Sequence, residues 1–67
     1  MVAPERMSEL DRLYLDSALK RYRSLGIRSP QQLIALVTND AKHNLKSPTP
    51  AQLRDYFIEK GLAEPPG

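Results

Sequence analysis

The pattern Ser/Thr-Pro-x-Gln-Leu occurs twice, at Ser29–Leu33 and at Thr49–Leu53, with the second copy beginning twenty residues after the first. Each copy reads as a helix start. A Ser or Thr at the cap accepts a hydrogen bond from a first-turn N–H that has no partner inside the helix. Pro suits the first helical position, where its missing N–H is not needed, and Gln three residues after the cap can reach back to it. Ser8 followed by Asp11 resembles the same device for a helix nearer the N-terminus. Gly26 and Gly61 supply the left-handed residue that closes a helix, so that Ile27 packs back on Tyr22 and Leu62 on Phe57. Ser47-Pro48 ends the middle helix.

These signals predict helices over about 8–25, 30–45 and 50–60, joined by the short links Gly26–Arg28 and Lys46–Pro48. Leu33, Val37, Ala41 and Leu45 recur every four residues with Ile34 and Leu36 beside them, and Leu53, Tyr56, Phe57 and Ile58 mark the third helix. Strand-like alternation is absent from the sequence. The expected fold is all-α, a compact three-helix bundle in a single domain over 1–67, with a frayed tail at "AEPPG".

A 67-residue chain buries only about 60% of its unfolded surface, so its core is small. With no cysteine, neither disulfides nor thiolate chemistry supports it. A composition of 40% hydrophobic and 27% charged residues nevertheless belongs to a globular domain, not to a disordered tail. No apolar run reaches the ~18–20 residues of a membrane span, and "MVAPERMSEL" has no apolar signal core, which makes the cytoplasm the expected location.

The first helix is the unusual one. On a wheel of about 100° per residue with Leu10 at zero, Met7, Tyr14, Leu15, Ala18, Tyr22 and Leu25 share an arc of about 140° with it. Leu13 falls about 60° outside one edge and Leu19 about 40° beyond the other. The apolar span becomes roughly 240°, with a polar strip of Glu9, Arg12, Asp16, Lys20 and Arg23. Two partner helices can cover a span of that width, which would make helix 1 simply the central helix of the bundle. An exposed remainder marks an interface. The expectation is a non-catalytic protein-interaction or regulatory module that binds another chain, or a second copy of itself as a homodimer. Leu13, Leu19 and Ile58 would make the contact, with Arg12, Lys20 and Arg23 as a polar rim.

Charge offers an alternative. Net charge is +2, a mild bias. Acids gather early in helix 1 (Glu5, Glu9, Asp11, Asp16) and bases late (Lys20, Arg21, Arg23, then Arg28), as the helix dipole favours. Lys20, Arg21, Arg23 and Arg28, joined by Lys42, His43 and Lys46 if helix 2 folds alongside, would make a phosphate-holding patch in a helix-turn-helix-like nucleic-acid-binding domain. Asp40 interrupts the cations of helix 2, and Asp55 and Glu59 those of helix 3.

The lone histidine, His43, has no companion ligands, so no metal site is expected and no cofactor either. The serines show no assembled base and acid, and the glycines are used at helix ends and in the tail, which leaves no phosphate loop; an enzyme is not expected. Tyr14, Tyr22, Tyr56 and Phe57 sit at core spacing. In Leu53, Phe57 and Lys60-Gly61-Leu62, followed by a loop ending at Gly67, the third helix resembles the first half of a SAP motif, a helix–loop–helix DNA-binding element. The resemblance covers under a third of the chain and no function is taken from it.

Overall fold

The computed structural model describes residues 7–46 and 48–65. Three helices follow one another: α1 (Glu9–Ser24), α2 (Pro30–Asn44) and α3 (Pro50–Glu59), with no strand among the described residues. Every start is capped as its side chains predict. Ser8 Oγ accepts from the Asp11 N–H at 3.2 Å, Ser29 Oγ from the Gln32 N–H at 3.4 Å, and Thr49 Oγ1 from the Gln52 N–H at 3.1 Å. Only at α3 is the box reciprocal, the Thr49 N–H donating to Gln52 Oε1 at 2.9 Å. At α1 the Asp11 carboxylate takes no such part, since its Oδ2 is buried without a hydrogen-bond partner.

Both glycine stops are left-handed, with φ of +92° at Gly26 and +76° at Gly61. Each closes a Schellman motif. Ile27 and Gly26 donate their N–H groups to the carbonyls of Tyr22 and Arg23 at 3.2 and 3.0 Å. Leu62 and Gly61 do the same to Phe57 and Ile58 at 2.8 and 3.0 Å. Glu64 and Pro65 are outside any helix; Ser47 and Gly67, which carried the middle stop and the end of the SAP-like loop, lie outside the described residues, as does Pro66 of the tail.

Three residues from each helix make the core: Leu15, Ala18 and Leu19; Leu33, Val37 and Ala41; Leu53, Tyr56 and Phe57. Met7, Tyr14, Tyr22, Ile27, Ile34, Leu45 and Leu62 pack around it. For α2 and α3 this is the predicted face. For α1 it is not. Leu19 is only 4% exposed, whereas Leu10 and Leu25, placed by the wheel on the inner arc, are 80% and 71% exposed.

The inner face is therefore turned by about 60°, centred near 130° on the wheel instead of 70°. The reason lies in the partners. A wheel weighs every apolar residue equally, but Leu10 lies in the first turn and Leu25 beyond the last, where the packed middle of α1 ends. Ala18 and Leu19 stand in that middle and are 3% and 4% exposed.

Candidate interaction surfaces

Two polar latches hold the helices and consume charged groups in doing so. Tyr22 of α1 donates its hydroxyl to Asp40 Oδ2 at 2.8 Å, and Arg21 reaches the same oxygen at 3.0 Å. Tyr56 of α3 donates to Asp16 Oδ1 of α1 at 2.6 Å, with Lys60 Nζ 3.2 Å from that oxygen. Burial would raise the Asp16 carboxyl, but the hydrogen bonds from Tyr56 and Lys60 outweigh it and hold the group below the usual aspartate value. Burial, then the bond to a carboxylate, pushes the Tyr56 phenol well above the ordinary tyrosine range. Arg12 forms an ion pair with Glu59, so it belongs to the seam between α1 and α3.

These contacts redistribute the expected interaction residues. Leu13 is 57% exposed, on the side of α1 about 170° from the centre of the core. Leu19 is sealed inside and is no contact residue. Ile58 is half-buried. Leu10, missed by the wheel, stands one turn before Leu13 on the same outer side. Glu9 and Lys20 fall within about 40° of Leu13 in projection, whereas Arg12 and Arg23 lie about 80–100° away, toward α3.

The cations also separate. Lys42 lies twelve residues into α2 from Pro30, about 18 Å along the axis from the end that follows Arg28. Lys42, His43 and Lys46 therefore stand apart from Arg28, at the opposite end of α2. His43 is exposed, its Nδ1 2.9 Å from the Asn39 carbonyl of its own helix. Arg21 is neutralised by Asp40. What remains together is Lys20, Arg23 and Arg28, joined by Lys60, a residue the charge reading passed over because it belongs to another helix. They line two adjoining hollows of about 400 and 460 Å³ that share Arg23 as a wall.

No group of three His, Cys, Asp or Glu side chains among the described residues is placed to hold a metal ion. No described helix is long and apolar enough to cross a membrane. Among the described residues, Leu10 and Leu13 on the outer face of α1, and Lys20, Arg23 and Arg28 at the rim of the hollows, take no part in the latches that hold the bundle together. Comparison with protein-family models, curated proteins and solved structures finds no match to this chain.

Proposed function

We propose that this chain is a helical interaction module that acts by binding, and that its first partner is a second copy of itself docked along the outer face of α1. The observation that supports the reading is the pair Leu10 and Leu13, 80% and 57% exposed one helical turn apart on the side away from the core. Single exposed leucines are ordinary on a protein surface; two on one face, flanked by complementary charge, are not.

Glu9 stands before Leu13 and Lys20 after it on this side. Two copies of α1 laid antiparallel about Leu13 set that leucine against its twin and leave Glu9 of each copy about 4.5 Å along the axis from Lys20 of the other, within the reach of a lysine side chain. A parallel pairing would oppose like charges. Self-association in this form is isologous and closes at two copies.

Sedimentation equilibrium over a wide concentration range tests this. The chain should weigh 7.6 kDa at the lowest concentration and approach twice that as concentration rises. Leu10→Asp with Leu13→Asp should remain monomeric with unchanged helical circular dichroism. Glu9→Lys and Lys20→Glu should each weaken the dimer, and the two together should restore it. A chain that stays monomeric at millimolar concentration defeats the proposal.

A further inference from the structure

We infer that the hollows walled by Lys20, Arg23, Arg28 and Lys60 bind successive phosphates of a nucleic-acid backbone. This surface lies beside the apolar face and shares Lys20 with it, whereas Arg23, Arg28 and Lys60 belong to it alone. Three different parts of the fold deliver the cations. Lys20 and Arg23 come from the last turns of α1, Arg28 from the link into α2, and Lys60 from the C-cap of α3. The Schellman turn at Gly61 carries Leu62 back onto Phe57, which sets Lys60 against α1.

Charge accounting singles out this rim. The carboxylate that lines it, Asp16, is already occupied by the Tyr56 hydroxyl and by Lys60. Lys20, Arg23 and Arg28 have no acidic partner among the described residues. Four cations and one carboxylate leave three positive charges here, one more than the net +2 of the whole chain. Everything else on the molecule is therefore slightly acidic in sum.

The shape of the site narrows the ligand. Two hollows meeting at Arg23 suit two anionic groups in sequence, with the guanidinium able to bond both in the forked geometry that phosphate accepts. Half-buried Ile27 and Leu62 give the second hollow an apolar wall, which suits a sugar lying between phosphates better than a bare inorganic anion. Cations that meet phosphates hold the strand without reading its bases, so affinity should be indifferent to sequence.

Fluorescence anisotropy with labelled 20-base-pair duplexes of two unrelated sequences tests the assignment. Both should bind equally at 50 mM salt, with log affinity falling against log salt at a slope of about −2, as counterion release from two phosphates requires. Arg23→Gln should weaken binding about tenfold and flatten that slope by about one. Arg23→Lys should recover part of the loss. Arg28→Gln, outside every helix, gives the same reading should Arg23→Gln disturb the fold. Lys42→Gln with Lys46→Gln, at the far end of α2, should change affinity less than twofold.

No binding at 50 mM salt overturns the inference. So does a far-end double variant as weak as Arg23→Gln, which would mean undirected attraction instead of a site. Tripolyphosphate should displace the duplex only at large excess; displacement at equal phosphate concentration would reassign the hollows to free polyphosphate.

Discussion

The two helices that flank α1 are held to it by different means. The backbones of α1 and α2 approach closely, and small side chains, Ala18 on one and Ala41 on the other, sit buried in the core with them. No comparably close approach joins α3 to either partner. It is attached instead by bulk, through Leu53, Tyr56 and Phe57, and by polar reach across the seam, through Tyr56 to Asp16 and Arg12 to Glu59.

The latches repeat the contrast. Each is a tyrosine hydroxyl and a cation on one aspartate, and each cation also lies over the ring of its tyrosine, Arg21 at 5.2 Å from Tyr22 and Lys60 at 5.5 Å from Tyr56. Tyr22 is half-buried at an interface already closed by backbone proximity. Tyr56 is 2% exposed and is part of the core itself. Close helices gain little from a latch, whereas a helix held at a distance depends on the side chains that span the gap.

Phe57→Ala should separate the two interfaces most forcefully. Truncating a buried phenylalanine costs about 3–5 kcal/mol, the same size as the entire stability that a core this small supplies. Urea titration should find the variant without a cooperative transition at 25 °C; survival of a near-normal midpoint would show that α3 is not held by bulk. Ala18→Leu probes the other interface from the opposite direction. Adding volume where two backbones are close should cost about 1–3 kcal/mol, and a neutral or stabilising result would mean that the approach leaves room.

The smallest effects sharpen the latch comparison. Tyr56→Phe should cost about 1 kcal/mol and Tyr22→Phe about half of that, read from urea midpoints at constant slope. Equal costs would erase the distinction. Their pH dependences should differ as well. The depressed Asp16 carboxyl binds its proton less tightly folded than unfolded, so the stability it contributes is present above about pH 4 and drains as pH falls through the folded value. The raised Tyr56 phenol gives stability that is whole below about pH 10 and is lost as pH climbs beyond it. Tyr56→Phe should flatten both limbs, while Tyr22→Phe should leave them in place.

How far these features could be read in advance varies along the chain. The caps at Ser8, Ser29 and Thr49 and the stops at Gly26 and Gly61 were legible to within a residue, because each acts through bonds spanning three to five residues. The inner faces of α2 and α3 were legible too, since their apolar residues form one stripe apiece. Helix α1 carried apolar residues around most of its circumference, and periodicity could not say which of them the neighbours would cover. Leu13 and Leu19 both project beyond the edges of the inner arc, yet Leu13 faces water and Leu19 the core, while Leu10 and Leu25, inside the arc, are exposed. Lys60 escaped notice at the cationic rim for a related reason: its meeting with Arg23 and Lys20 joins positions about forty residues apart.

The chain alone determined where helices begin and end, since capping hydroxyls, N1 prolines and left-handed glycines act within a single turn and need no tertiary partner. Only the assembled structure decided how α1 is turned about its own axis, and with it which leucines face water, which arginines pair with carboxylates, and which cations stay unpaired. That rotation depends on where two other helices seat themselves, through steric fit between side chains far apart in the chain, a quantity with no local signature.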